Sequence, residues 1–165
     1  MGRWRPPPPR SSPYITPAGF EALEAEQGAL WTRRRDVVKA LSAAAAEGDR
    51  SENAEYIYRK KELAGIDRRI RYLQKRLPNL KVVRTAPTVD KVFFGAWVEL
   101  IRDDDASLIY RIVGADETDA KKGFISVDSP MARALLGKST GEEFTLTLDG
   151  ASRTYDIECI RYEAE

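Results

Sequence analysis

Two carboxylates in this sequence stand where they could do chemistry together. Asp49 and Glu52 lie three residues apart in the segment GDRSEN, between two stretches that predict helices. Side chains three residues apart are neighbours on a helix, so these carboxylates can converge. Oxygen donors suit Mg²⁺, which keeps several waters and rarely takes all its ligands from one protein. The pair predicts either half of a magnesium site, completed by another macromolecule, or a solvated turn whose acids complement a helix dipole.

The composition excludes several kinds of site and compartment. The chain has no His, which removes His-based triads, His metal ligands and the usual general base near neutral pH. Its single Cys, Cys159, allows no disulfide within the chain. No apolar run is long enough to span a membrane, and the first residues lack the apolar core of a secretory signal. These features predict a cytoplasmic protein whose chemistry depends on carboxylates, hydroxyls or a site that another molecule completes.

Two heptad helices are predicted to carry the acidic pair at the tip of a hairpin. Thr16-Pro17 starts the first helix, which Gly48 ends near Ala46, and Ser51 caps a second helix that runs to about Leu77. A connection this short makes the helices fold back as an antiparallel coiled-coil hairpin. The predicted seam consists of Phe20, Leu23, Gln27, Leu30, Arg34, Val37, Leu41 and Ala44 in the first helix and of Leu63, Ile66, Ile70, Leu73, Leu77 and Leu80 in the second.

Basic side chains crowd the second helix, with three tyrosines among them. Basic and aromatic residues along one helix suit single-stranded nucleic acid, through attraction to phosphates and stacking on bases. The alternative is a solvated flank of the coiled coil, paired with acids such as Glu55, Glu62 and Asp67. The basic residues are Arg59, Lys60, Lys61, Arg68, Arg69, Arg71, Lys75 and Arg76, and the tyrosines are Tyr56, Tyr58 and Tyr72.

The second half of the chain has the pattern of a small β domain. Short β-branched and aromatic runs predict strands at 92–101, 108–113, 124–127, 144–148 and 154–162. A short amphipathic helix is predicted at 131–136, between Ser129-Pro130 and Gly137. The fold class is therefore α+β, with the hairpin at 14–83, a linker at 84–90 and an antiparallel β domain at 91–165.

Charge and proline content set the first residues apart from the rest. Residues 1–13 are rich in Arg and Pro, which predicts a disordered, extended tail, with a docking motif for a Pro-recognising domain as the alternative.

Residues 14–83 carry a net charge of +4 and residues 84–165 one of −6. This division suggests two surfaces that meet two different partners.

Four segments resemble one protein family in collinear order. The sequence at 48–83, KVFFGAWVEL at 91–100, RIVGADE at 111–117 and ISVDSPMARALLGK at 125–138 are similar to bacterial transcript-cleavage factors of the Gre family. The likeness covers residues 14–163, and the dense basic run together with FFGAWVE and SPMARALL favours the B-type. The resemblance implies an FKBP-like fold for the C-terminal domain.

This resemblance also implies a mechanism. Asp49 and Glu52 match the family's acidic tip, which enters the secondary channel of RNA polymerase, helps to hold a second Mg²⁺ and orients a water for hydrolysis of the RNA phosphodiester. Ser51 and Asn53 match residues that steady this tip. The matching basic residues guide the 3′ end of the nascent RNA. The C-terminal domain docks on the channel rim through Asp128, Ser129, Pro130 and Met131, and the factor acts as a monomer that is not itself an enzyme.

Three alternatives stay open at this point. A Gre-like regulator could occupy the same channel and inhibit, although the intact Asp49/Glu52 pair argues against that. The FKBP-like resemblance suggests peptidyl-prolyl isomerase activity, which requires an aromatic pocket; Phe93, Trp97 and Phe124 are instead expected in the core, and no isomerase activity is expected. A structural coiled-coil adaptor would tolerate replacement of both acids by amides.

Overall fold

The computed structural model describes residues 10–48, 53–84 and 90–163. The chain divides into a helical unit, Phe20–Leu80, and a β unit made of Met1–Gly19 and Lys81–Glu165. This division differs from the boundaries of 14–83 drawn from the sequence, because strand β1 (Tyr14–Ile15) pairs in parallel with β2 (Lys81–Val82). The residues on either side of the hairpin therefore belong to the β unit.

Only residues 10–13 of the predicted disordered tail, residues 1–13, are described in the structure. Residues 1–9 lie outside the described residues, as do 85–89 of the predicted linker. The described end of the tail makes hydrogen bonds within the β unit. The Pro13 carbonyl accepts a hydrogen bond of 2.7 Å from the Lys81 N–H, and Ser12 donates hydrogen bonds to Asp128.

Both long helices form close to their predicted bounds. Helix α1 is Pro17–Ala46, and Gly48, at φ 144°, follows its end in backbone geometry that favours glycine. Helix α2 is Ala54–Arg76, followed by a 3₁₀ turn, Leu77–Asn79, at Pro78. The cap predicted at Ser51 lies outside the described residues. The observed N-cap is Asn53, whose side chain accepts a hydrogen bond of 3.1 Å from the Tyr56 N–H.

The two helices pack as an antiparallel hairpin, as predicted. Contacts join Glu26 to Arg69, Arg34 to Asp67, and the carbonyl of Ala44 to Asn53, so the partner's number falls as the α1 number rises. Apolar seam residues are buried between the charged pairs. Burying a side chain of this size contributes about 1.5–3 kcal/mol. The buried members of the predicted seam are Leu23, Val37, Ala44, Ile66, Ile70 and Leu73.

The β unit contains a five-stranded sheet in the order β5-β4-β3-β7-β6. Pairing within this sheet is antiparallel, as predicted, with one exception: β4 and β5 pair in parallel. A parallel pair needs a crossover, and the segment between these strands supplies it with two 3₁₀ turns, Ala115–Glu117 and Ala120–Lys122. The strands are β3 (Trp97–Arg102), β4 (Ser107–Val113), β5 (Phe124–Ser126), β6 (Glu143–Leu148) and β7 (Ala151–Arg161).

One face of this sheet forms the core with a short helix, α3 (Pro130–Leu135). Residues 92–96, predicted as the start of a strand, instead form a turn in which Gly95 adopts φ 87°. The core consists of Val92, Ala96, Val98, Leu100, Ile112, Ala132, Leu135, Phe144, Tyr155 and Ile157. Among the described residues, no helix is both long enough and apolar enough to cross a membrane.

Candidate functional site

The segment predicted to carry the chemistry is bounded by two anchored helix ends. Asp49, Ser51 and Glu52 lie outside the described residues, whereas Asn53 is described. The Asn53 side chain accepts from the Tyr56 N–H and also donates, through Nδ2, to the Ala44 carbonyl at 2.8 Å. One amide therefore starts α2 and satisfies a carbonyl in the last turn of α1. We call this pair of hydrogen bonds the Asn53 tie.

Part of the basic set on α2 forms ion pairs within the helical unit. Arg59 pairs with Glu55 at 2.7 Å and with Glu62 at 3.0 Å, and these hydrogen bonds, with Glu55 the larger cause, raise the pKa of Arg59. Arg69 forms a two-pronged pair with Glu26, at 2.6 and 2.9 Å, and hydrogen bonding to Arg69 lowers the pKa of Glu26. Arg59 and Arg69 thus make ion pairs of the kind that the flank interpretation predicts.

Arginines on α1 complete the paired side of the hairpin. Arg33 donates to Glu62, and this hydrogen bond is the largest cause of the lowered pKa of that carboxyl. Arg34, a polar break in the predicted seam, pairs with Asp67 at 2.7 Å. Exposed pairs of this kind contribute little individually, because water and salt screen the attraction. They fix the register of the helices. They also pair acids of α2 with arginines of α1, so that these acids offset less of the positive charge of α2.

A second part of the basic set faces solvent. At 3.6 residues per turn, its five members fall within about 100° of the α2 circumference, opposite the buried Ile66, Ile70 and Leu73, and span about 22 Å. All five are exposed, and none of them forms an ion pair within the described part of the chain. We call this surface the cationic face. It consists of Lys60, Lys61, Arg68, Arg71 and Lys75.

Tyrosines lie along one edge of the cationic face. Tyr58 and Tyr72 are 60% and 41% exposed, and each ring has an arginine over it, Arg59 at 5.4 Å and Arg69 at 5.2 Å from the ring centroid. The paired arginines therefore also hold the rings in place. Exposed rings beside a row of cations are the combination that suits a single-stranded polyanion with flat bases.

The predicted docking loop of the β unit has four distinct environments. Ser129 caps α3, with its hydroxyl oxygen accepting from the Ala132 N–H at 3.2 Å, and Pro130 takes the first helical position. Pro130 is exposed, whereas Met131 is half-buried against the core. Asp128 accepts hydrogen bonds from the Ser12 N–H, at 2.8 Å, and from the Ser12 hydroxyl. The loop therefore presents Pro130 outward and uses Asp128 for an internal contact.

The aromatic residues considered for an isomerase pocket are not in the core, which corrects that expectation. Phe93 is exposed, and Trp97 and Phe124 are half-buried outside the core, with their ring centroids 5.7 Å apart. A cleft of about 260 Å³ does lie beside Trp97, but its other lining residues are Arg161, Tyr162 and Glu163. Two of these residues, Arg161 and Glu163, carry charge, and the Trp97 indole N–H donates to Glu163 at 2.8 Å.

Some of these residues left a signal in the sequence and others did not. Asn is as good an N-cap as Ser, so Asn53 was available as an alternative to Ser51. The contacts of Ser12 with Asp128 and of Glu117 with Thr16 left no local signal, because they join residues 116 and 101 positions apart. Glu117 accepts hydrogen bonds from the Thr16 N–H and hydroxyl and from the Gly114 N–H, and thereby fixes the start of α1.

Comparison with known proteins identifies the family. A model described as "Transcription elongation factor, N-terminal" matches residues 13–82, and one described as "Transcription elongation factor, GreA/GreB, C-term" matches residues 86–162. Transcription elongation factor GreB of Xanthomonas axonopodis pv. citri is 57% identical over 165 residues, and that of Pseudomonas aeruginosa is 49% identical over 164 residues; each alignment covers 98% of both chains. Among solved structures, the transcription factor Gfh1 is 25% identical, covering 92% of this chain and 97% of that one, with a TM-score of 0.44. The chain belongs to the GreA/GreB family of transcription elongation factors, and it is of the GreB type.

Proposed function

We propose that this chain inserts its helical hairpin into the secondary channel of RNA polymerase and stimulates cleavage of backtracked nascent RNA. The Asn53 tie carries the proposal, because it anchors the ends of both helices on either side of the acidic pair. Residues 49–52 join those anchored ends, so covalent connectivity keeps Asp49 and Glu52 at this end of the hairpin. The chain supplies carboxylates to the polymerase's own cleavage activity and is not itself an enzyme.

Two carboxylates are a suitable but incomplete donor set for Mg²⁺. The ion demands octahedral coordination by oxygen and usually takes one or two carboxylates plus waters and phosphate oxygens. Asp49 and Glu52 would hold it jointly with the polymerase and the RNA, and the ion would stabilise charge on the attacking and leaving oxygens of the hydrolysis. Within this chain, Asn53 and Ser51 would position the two acids.

The cationic face gives the RNA a path along α2. Its five exposed cations attract phosphates, and Tyr58 and Tyr72 offer rings at its edge. A segment of RNA extruded beyond the polymerase active centre is single-stranded, so its phosphates and bases are both accessible to such a surface. This arrangement supports a preference for longer backtracked segments, which reach further along the cationic face than short ones.

The β unit would hold the factor on the polymerase through residues 128–131. Pro130 is the exposed apolar residue of this loop, and α3 behind it is anchored in the core by Ala132 and Leu135. Replacing Pro130-Met131 with Gly-Asp is expected to weaken binding to polymerase, because it removes the apolar contact and adds a charge. A pull-down with polymerase measures this, and unchanged binding would remove the loop from the interface.

The deciding experiment is RNA cleavage in backtracked elongation complexes, with polymerase binding measured in parallel. Asp49→Asn and Glu52→Gln are each expected to lower the cleavage rate by roughly a hundredfold while leaving binding unchanged. Asp36→Asn is the matched control, since Asp36 is an exposed acid on α1 for which no hydrogen bond or ion pair is seen within the described residues. Cleavage at the wild-type rate by both tip variants, or inhibition by the wild-type factor itself, would favour a channel-blocking regulator instead.

A further inference from the structure

The N-terminal segment is joined directly to the predicted docking loop. The Ser12 N–H donates to one Asp128 carboxylate oxygen at 2.8 Å, and the Ser12 hydroxyl donates to the other. Both hydrogen bonds are partly buried and end on a charged acceptor, which makes them roughly twice as strong as neutral ones. Asp128 therefore binds a segment 116 residues away in sequence, and its two oxygens face into the β unit's own structure.

Neighbouring contacts fix this segment from several sides. The Pro13 carbonyl accepts from the Lys81 N–H at 2.7 Å, and the Ile15 carbonyl accepts from the Val83 N–H at 2.9 Å. Just beyond, the Thr16 backbone donates to Glu117 at 3.0 Å. Residues 12–16 are thus held at almost every position. A loop hydrogen-bonded to such a segment is held in one position as well.

Apolar side chains are exposed on both sides of the Ser12–Asp128 contact. Tyr14 is 41% exposed, with its ring centroid 6.2 Å from that of Phe94, and Pro130 is exposed at the start of α3. Each of these lies two residues from the contact, so an extended chain places it within about 7 Å along the backbone. Ile15 is fully buried, so the strand alternates and directs Tyr14 outward.

We propose that residues 12–14 and 128–131 form one composite surface that docks on RNA polymerase, with Asp128 as a positioning residue that acts through Ser12. This inference rests on the proposed function, and it changes the role that the family resemblance implies for Asp128. The carboxylate acts on the polymerase through the chain's own structure: it holds the loop to the N-terminal segment, so that Pro130 and Tyr14, both exposed, are presented by two hydrogen-bonded segments. The partner surface is correspondingly apolar at this point.

A double-mutant cycle on polymerase affinity tests this assignment. Ser12→Ala and Asp128→Ala are each expected to weaken binding of the full chain to polymerase about three- to tenfold, the range expected for losing a hydrogen bond to a charged group at a partly exposed position. The double variant is expected to bind within about twofold of Asp128→Ala, because Asp128→Ala already removes the acceptor of the hydroxyl hydrogen bond that Ser12→Ala breaks. Ser12→Thr keeps the hydroxyl and is expected to restore affinity. Ser107→Ala, an exposed serine in β4, is the matched control and is expected to change nothing.

Each outcome discriminates between the possible roles of Asp128. Additive losses in the double variant would show that Asp128 contacts polymerase directly and would overturn the proposal. Wild-type affinity of Ser12→Ala would also overturn it, while the proposed function would stand, since wild type binds in the same assay. If wild type itself does not bind polymerase, the proposed function fails and the docking surface fails with it. Amide exchange at residue 12 in the free chain, faster in Asp128→Ala, shows independently that the contact was broken.

Discussion

Glu117 is predicted to contribute more to stability than any exposed acid of the β unit. Its carboxylate accepts from the Thr16 N–H at 3.0 Å, from the Gly114 N–H at 2.8 Å and from the Thr16 hydroxyl. Thr16 is only 5% exposed and Gly114 is buried, so removing the carboxylate leaves donors with little access to water. A buried unsatisfied donor costs about 1–3 kcal/mol, so Glu117→Ala is expected to lower the free energy of unfolding by about 3 kcal/mol.

A second substitution, Gly19→Ala, tests the same contact, because the sign of its effect on stability is expected to depend on whether Glu117 is present. A Cβ at Gly19 would overlap the Glu117 carboxylate, so Gly19→Ala is expected to destabilise the wild-type chain. In the Glu117→Ala background that overlap is gone. Gly19→Ala should then stabilise α1 by up to about 1 kcal/mol, the helix-propensity difference between the two residues.

Urea unfolding followed by circular dichroism measures all three variants, with amide exchange at Thr16 and Gly114 as the local readout. Glu158→Ala is the matched control, because Glu158 is exposed and has no hydrogen-bond or ion-pair partner within the described residues. Its effect is expected to stay within about 0.5 kcal/mol. An equal loss of stability in Glu117→Ala and Glu158→Ala would contradict this role of Glu117. So would an effect of Gly19→Ala that has the same sign in both backgrounds.

Three further predictions follow from other contacts. Asn53→Asp keeps the cap on the Tyr56 N–H but removes donation to the Ala44 carbonyl. The helicity of α2, measured by circular dichroism, should therefore be kept while RNA cleavage falls. Loss of helicity would show that the cap alone mattered. Arg68→Gln and Arg71→Gln should each lower the salt dependence of RNA binding by about 0.7 in log–log slope, whereas Arg69→Gln, which breaks the pair with Glu26, should mainly lower hairpin stability. Hydrogen bonding to Arg102 lowers the pKa of Asp104 from its ordinary 3.8 to about 2, so the stability from this pair is present above pH 3.8 and is lost as the pH falls toward 2. A titration by NMR checks that value, and an ordinary pKa for Asp104 would contradict the contact.

Periodicity in the sequence predicted the helices, because the side chains that each helix buries recur at a regular spacing along the chain. The 3-4 spacing of Leu23, Val37, Ile66 and Ile70 gave the seam, and Thr16-Pro17 gave the start of α1, as the structure confirms. Strand positions followed from short apolar runs in the same way. The start of β3 was placed too early, because 92–96 is apolar for packing in the core while Gly95 turns the chain.

Contacts between distant residues were not predictable by the same means. Nothing near Asp128 in sequence indicates Ser12, and nothing near Glu117 indicates Thr16. The parallel β4–β5 pair was also missed, since turn residues and apolar runs do not indicate whether two strands pair in parallel or antiparallel. The division of α2 into paired and unpaired cations likewise depended on knowing which acids face them. Sequence supplied the eight basic residues, and the geometry separated three of them from the cationic face: the paired Arg59 and Arg69, and the half-buried Arg76.

The parallel pairing of β1 with β2 makes the hairpin an exchangeable module. The chain leaves the β unit after Ile15 and re-enters it at Lys81, and the register pairs Tyr14 with Lys81 and Ile15 with Val82. Paired strands lie about 4.8 Å apart, so the point of departure and the point of return are adjacent. A short flexible link could replace everything between them and leave both strands in register. A helical pair of another length or another tip sequence could be grafted at the same two points without altering the pairing of β1 with β2.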